Sequence, residues 1–263
     1  MKQYNPEALI PLVEKMINDG QLSRTLYTYM PIDLLDERVK PIFQECKLWF
    51  SSPANFNDPF DCKIYPRVPS DEELALYLAT HAENATLQDY AIIHEGIQKC
   101  GSRLALQAID DVMNKSGVKC FTTNNANILM WSHYTNSHKG ICLEFDTLED
   151  PSFFVYPINV VYTESYPRIN FTDKSFTTTI LRTKSKDWEY ENEVRVYKTQ
   201  SGYHNFNPNS LKSITFGCNI PEEKQKAIID SIRHNRALDH VIFYKCMTNA
   251  SHFKLDILVD DKN

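Results

Sequence analysis

Only seven of the 263 residues are glycine, and they stand alone at Gly20, Gly96, Gly101, Gly117, Gly140, Gly202 and Gly217. Average usage of about 7% would place two to three times as many. No GxGxxG spacing can be written from them. The nearest approach to a phosphate loop runs from Gly96 to Gly101 and on to Ser102, without the lysine such a loop needs. Sites in which backbone amides cradle a phosphate (the dinucleotide fold, the kinase glycine loop, the P-loop) are therefore not expected.

Hydrophobic content of 42% and charged content of 24% are those of a globular chain able to bury a sizeable core. The length suits a single α+β domain over 1–263, with room for an insert. Net charge is −6, whereas affinity for nucleic acid comes from neutralising phosphates with a basic surface. Between Arg168 and Lys198 seven basic residues face five acidic ones, a mild excess that reads as a solvated face. Seven widely spaced cysteines without a CxxC suggest neither a disulfide framework nor a zinc knuckle, and read as buried, reduced thiols. The N-terminal stretch spaces Leu9, Ile10, Leu12, Val13 and Ile17 as an amphipathic helix rather than a signal sequence, and no apolar run reaches membrane-span length. A cytoplasmic protein without membrane contact is expected.

Strands are predicted at 24–29, 47–51, 118–122, 139–146, 153–162, 190–199, 211–216, 240–246 and 253–259. Helices are predicted at 6–19, 31–44, 128–134 (capped by Asn127) and 221–235, and residues 176–184 fit either state. The segment 70–116 has no strand-like run and opens with Ser70-Asp-Glu-Glu, so it is expected as two or three helices forming an insertion or lid. Without a regular βαβα alternation, the expected fold is α+β, a mixed or split antiparallel sheet with flanking helices.

Three clusters carry chemistry-bearing residues. In Trp188-Glu-Tyr-Glu-Asn-Glu-Val-Arg-Val196, a strand would project Glu191, Glu193 and Arg195 on one face. Two carboxylates about 7 Å apart repel unless something cationic binds or sits between them. They could orient a ribose hydroxyl and stabilise an oxocarbenium ion; alternatively the strand face is solvent-exposed and Arg195 pairs Glu193. The loop Phe56-Asn57-Asp58-Pro59-Phe60-Asp61 offers Asn57, Asp58 and Asp61 to a pocket rim, or merely caps its own turns. In Met130-Trp131-Ser132-His133-Tyr134, Trp131 and Tyr134 could wall a flat ring beside His133, although an aromatic stripe at helical spacing also reads as core. The carboxylate spacing suits no metal site, and none is expected.

The runs Leu48-Trp-Phe-Ser-Ser-Pro53, Asn57-Asp-Pro-Phe60, Lys119-Cys-Phe-Thr122, Met130-Trp-Ser-His-Tyr134 and Lys186-Asp-Trp-Glu-Tyr-Glu-Asn-Glu-Val-Arg195 resemble the prokaryotic domain of unknown function 2971 family across most of 25–200. Their arrangement looks like a diverged ADP-ribosyltransferase, which holds NAD in the cleft of a split sheet without a glycine loop. That likeness implies NAD as substrate, Glu191 or Glu193 with Ser51 as catalytic residues, and Tyr27, Tyr29, Ser52, Asn57, Asp58, Trp131, His133, Tyr134 and Arg195 around the nucleotide. It implies a macromolecular acceptor, protein or nucleic acid, and a role as toxin or phage-defence effector. Thr28 and Met30 stand where relatives carry a basic residue. The alternative is a non-catalytic nucleotide- or nucleic-acid-binding regulatory module; a metal-dependent nuclease built on Asp58, Asp61, Glu191 and Glu193 is the third reading.

Overall fold

A computed structural model describes residues 6–32, 38–81 and 86–260. A 3-10 turn, Pro6–Leu9, leads into helix α1 (Ile10–Asn18), whose Val13 is buried. Strand β1 (Thr25–Met30) follows, then helix α2 (Lys40–Glu45) and strand β2 (Lys47–Phe50). Of the helix expected over 31–44, residues 33–37 lie outside the described residues. Strand β3 (Tyr65–Pro66) precedes the two helices of the 70–116 segment, α3 (Asp71–His81) and α4 (Leu87–Lys115). Ser70 and Glu73 exchange capping hydrogen bonds at the first, Thr86 and Asp89 at the second.

Strand β4 (Gly117–Thr122), helix α5 (Ile128–Tyr134), strand β5 (Ile141–Asp146) and the short helix α6 (Pro151–Phe154) come next. Asn127 accepts from Leu129 N–H and Met130 N–H and so fixes the start of α5, as its position predicted. The strand expected over 153–162 begins instead as α6. Asp150 accepts from Phe153 N–H, Pro151 occupies the first turn, and Phe153 and Phe154 turn into the core. Only β6 (Pro157–Asn159) and β7 (Val161–Thr163) remain as strands there. The ambiguous 176–184 stretch divides: after β8 (Arg168–Ile169) it forms helix α7 (Phe176–Arg182) and then strand β9 (Thr183–Ser185).

The strand expected at 190–199 starts later, as β10 (Glu193–Lys198), because Lys186–Glu191 winds as a 3-10 helix closed by Asn192 at φ 44°. Asparagine tolerates that left-handed geometry better than most residues. Strands β11 (Gly202–Asn205) and β12 (Leu211–Phe216), helix α8 (Glu222–Arg233) and strands β13 (Ile242–Thr248) and β14 (Leu255–Val259) complete the chain.

Eight strands form one sheet in the order β14-β13-β12-β5-β1-β4-β10-β6, antiparallel except for the β12–β13 pair that α8 connects. Three two-stranded ladders, β2–β11, β3–β8 and β7–β9, stand outside it. The fold is α+β with a mixed sheet. One face carries the main core, in which Leu26, Phe43, Phe50, Phe121, Phe145, Phe154 and Phe216 are almost completely buried. On the other face Tyr29, Met130, Trp131, Cys142 and Cys246 form a smaller cluster under α5.

The thinnest pairing in the sheet is between β1 and β4. Strand β1 pairs with β5 through six residue pairs but with β4 only through Tyr27 opposite Thr122. Where the backbone ladder lapses, the Thr28 hydroxyl donates to Cys120 O at 3.0 Å. The sheet therefore opens between β1 and β4.

Gly140 and Gly217 stand where chain segments touch: a Cβ would lie 2.2 Å from Met30 O at the first and 2.2 Å from His138 O at the second. Gly96 sits on an exposed stretch of α4 with nothing within 4 Å of such a Cβ. Gly140→Ala is therefore expected to lower stability by about 1–3 kcal/mol. Gly96→Ala should raise it by about 0.5–1 kcal/mol. Urea unfolding of the two variants checks both signs.

Candidate functional site

Arg195 has no solvent exposure, so every donor of its guanidinium must find an acceptor inside the protein. Strand alternation sends Val194 and Val196 into the main core and Arg195 to the opposite face, beside Glu193. Its Nη2 reaches both carboxylate oxygens of Asp61 at 2.8 Å, and its Nε reaches Glu193 Oε1 at 2.8 Å. Nη1 donates to Leu181 O at 2.7 Å, where α7 ends. The guanidinium thus ties β10 to the 56–61 loop and to the segment leading into β9.

Lys184, on β9, supplies the second buried cation. Its Nζ lies 2.5 Å from Glu191 Oε2 and 2.8 Å from Glu193 Oε2. It is the cation that the close pair of carboxylates demanded. Glu191 and Glu193 converge although Glu191 sits on the 3-10 turn and not on the strand, because left-handed Asn192 turns the chain between them. The expected solvent-exposed strand face is wrong in this respect: both glutamates are almost wholly buried. Tyr134 on α5 donates to Glu191 Oε1 at 2.6 Å, and Thr122 on β4 donates to Glu191 O at 2.6 Å. Glu193 N–H donates to the Tyr162 hydroxyl at 2.8 Å, and Asn127 Nδ2 donates to Tyr190 O at 2.9 Å.

The two carboxyl groups are driven apart in acidity. Burial pushes Glu193 up, but Arg195 and Lys184 outweigh it and hold the group down at about 2. Burial also pushes Glu191 up, and there Lys184 is its sole cation, helped only by a neutral tyrosine hydroxyl, so the net direction is upward. Burial works against the Lys184 ammonium, yet Glu193 and Glu191 more than compensate and keep it charged. Tyr134 is pushed up by burial and by Glu191, which fixes it as the donor in that hydrogen bond.

This cluster forms one wall of a cleft of about 100 Å³ at the opening between β1 and β4. Tyr27, Thr28 and Tyr29 line it from β1, and Cys120, Phe121 and Thr122 from β4. Met130 and Tyr134 line it from α5, Phe56, Asn57 and Asp61 from the 56–61 loop, and Lys184, Glu191 and Glu193 close it. Burial and Glu144 raise the Tyr27 hydroxyl to about 12, so it stays a neutral donor and acceptor.

Of the residues singled out in the sequence, Tyr27, Tyr29, Asn57, Asp61, Tyr134, Glu191 and Glu193 meet at the cleft. The others lie elsewhere. Ser52 Oγ donates to Met113 O at 2.6 Å, and Ser51 is bridged to Val118 through backbone, so neither lines the cleft. Trp131 is fully buried, donates its indole N–H to Asn125 O, and meets Tyr29 edge-on at 5.2 Å; it is core rather than a wall for a ring. Arg195 is spent on Asp61 and Glu193, holding Glu193 in place. Asp58 faces a neighbouring hollow. His133 lies on the exposed side of α5, its Nδ1 3.1 Å from the Tyr190 hydroxyl.

Three participants were given no role in the sequence: Lys184, and Thr122 and Cys120 of the Lys119–Thr122 run. The signal for Lys184 was indirect, namely the repulsion of the two carboxylates. All seven cysteines are free. Cys120 is exposed toward the cleft, contrary to the expectation of burial, because it alternates with core-facing Phe121 on β4. Its thiol is pushed well up by desolvation and by Glu193, so it is not a thiolate nucleophile. Of the four nuclease carboxylates, Asp61, Glu191 and Glu193 converge, but Lys184 and Arg195 span them and Asp58 stands apart.

Lys184→Met leaves two buried carboxylates facing each other and is expected to cost about 3–5 kcal/mol at neutral pH, less in acid, where they protonate. The Glu193 contribution is complete above its ordinary value of 4.5 and is lost as pH falls toward about 2. Glu191 has the opposite sign, since its raised folded value makes ionisation costly as pH rises through it. Glu193→Gln should therefore be less stable than the wild type by about 3 kcal/mol at pH 6, with the gap closing toward pH 2. Denaturant unfolding across that range checks it.

Among the described residues, no helix is long and apolar enough to cross a membrane. No curated protein and no solved structure matches the chain. A family model matches residues 130–196, the stretch that carries Met130, Tyr134, Lys184, Glu191, Glu193 and Arg195. The matching model is described as protein of unknown function (DUF2971), and residues 130–196 are similar to that family.

Proposed function

We propose that the protein is an ADP-ribosyltransferase-like enzyme that takes NAD as its substrate, with the nicotinamide ribose seated in the cleft between β1 and β4. The observation that carries this reading is the pairing of two buried carboxyl groups of opposed acidity with a tyrosine-lined cleft at the opening of the sheet. The rings of Tyr27 and Phe56 offer apolar contact to a flat base. Three carboxylates against two cations leave the cluster with an excess of negative charge, which favours the positive charge that develops at the anomeric carbon as nicotinamide leaves. Glu193, the more firmly ionised, is the group assigned to that stabilisation, and Glu191 the one able to exchange a proton. The isolated glycines leave no backbone cradle, so the phosphates would be held by side chains.

The acceptor in this reading is a macromolecule, protein or nucleic acid, as suits a toxin or phage-defence effector. A second reading is supported by Lys184: an ammonium already seated between the glutamates resembles a finished structural network, as in a non-catalytic nucleotide- or nucleic-acid-binding module.

Incubation with labelled NAD and lysate or RNA separates the two. The expected result is nicotinamide release with label transfer, reduced about 10²–10³-fold in Glu193→Gln. Binding of NAD without turnover, with Glu191→Gln and Glu193→Gln lowering only the melting temperature, would establish the module instead.

A further inference from the structure

Lys184 also lines a second and larger hollow, of about 690 Å³. Its chemistry differs from that of the cleft. Asp58, Glu164 and Asp187 are its acids, and Phe60, Tyr166 and Trp188 its aromatics. Phe60 and Tyr166 are 60% and 47% exposed, so their rings are open to solvent. The cations nearby do not neutralise it. Lys184 is committed to Glu191 and Glu193 at 2.5 and 2.8 Å. Lys186 pairs with Glu164 at 3.4 Å in open solvent, where such a contact is weak. Asp58 spends Oδ1 on Phe60 N–H at 2.8 Å, while its Oδ2 is shielded from water and has no hydrogen-bond partner among the described residues. The same wall also holds a cation already, since Lys184 Nζ lies 5.3 Å from the centre of the Trp188 ring.

We infer that this hollow is a binding site for a guanidinium side chain presented by another molecule. Acids combined with open aromatic faces favour a cation. A guanidinium suits them better than an ammonium, because it stacks flat on a ring while its edge donates to a carboxylate in pairs. If the transferase reading holds, the hollow is where an acceptor would dock a basic side chain next to the cleft; the binding itself requires no NAD, so the two readings fail separately.

The probe is N-acetyl-arginine amide, titrated into the NAD-free protein by calorimetry and followed by tryptophan fluorescence. N-acetyl-citrulline amide, of the same shape without the charge, and N-acetyl-lysine amide are run beside it. Saturable binding of the arginine compound is expected, at least tenfold tighter than citrulline, with a fluorescence change lost in Trp188→Phe. Asp58→Asn keeps the Oδ1 acceptor for Phe60, and together with Asp187→Asn it should weaken binding at least fivefold while leaving the melting curve in place. If those substitutions disturb folding, Tyr166→Ala, on an exposed ring, should give the same weakening. Equal binding of citrulline, tighter binding of lysine, no saturable heat, or affinity untouched by the folded variants would overturn the assignment.

Discussion

A guanidinium with no access to water is the constraint around which this fold is arranged. Arg195 cannot shed its charge, so its position on β10 obliges the 56–61 loop to deliver Asp61, α7 to end with Leu181 O facing inward, and Glu193 to share its face. Those elements are far apart in sequence, and the guanidinium holds them together. Lys184 extends the requirement one step outward. The carboxylate of Glu193 is divided between two cations, and the surplus negative charge passes to Glu191, which Tyr134 then caps from α5. The family match over 130–196 covers most of α5, Lys184, Arg195 and both glutamates, a single electrostatic unit apart from Asp61.

The cleft exists because this unit lies against a sheet that does not close. A full β1–β4 ladder would satisfy the backbone groups and leave no opening. With one residue pair in place, the Thr28 hydroxyl and neighbouring side chains supply contacts that backbone would otherwise supply. Polar side chains are thus gathered at the opening to meet backbone needs, and the same side chains line a ligand-sized space.

Elements set by local chemistry were legible in the sequence. Asn127 and its helix stand where the cap predicted, Leu211–Phe216 is the strand that its run of residues indicated, and Ser70 opens α3. What failed depended on conformations that spacing does not reveal. Asn192 in the left-handed region shortens β10 by three residues, and Asp150 with Pro151 converts Phe153 and Phe154 from strand to helix. The site was half legible for the same reason. The spacing of Glu191 and Glu193 stated that a cation was needed, but no pattern within 176–184 marked Lys184, since the stretch fits helix or strand equally and only tertiary packing places β9 beside the glutamates. Ser51 and Ser52 stood near the right elements, but Ser51 pairs through its backbone with Val118 and Ser52 Oγ donates to Met113 O.

The scarcity of glycine can now be related to the architecture. Gly117, Gly140 and Gly217 are used where two backbones touch, with a Cβ lying 2.1 to 2.2 Å from a carbonyl oxygen. None of the seven glycines lines the cleft or the hollow. Ligand contact in either place falls to side chains, and these are tyrosines, carboxylates and a lysine whose charges are fixed by one another. Lys184 borders both spaces. A ligand that drew charge away from Glu191 or Glu193 on the cleft side would loosen the hold on that ammonium, and with it the wall shared with the hollow.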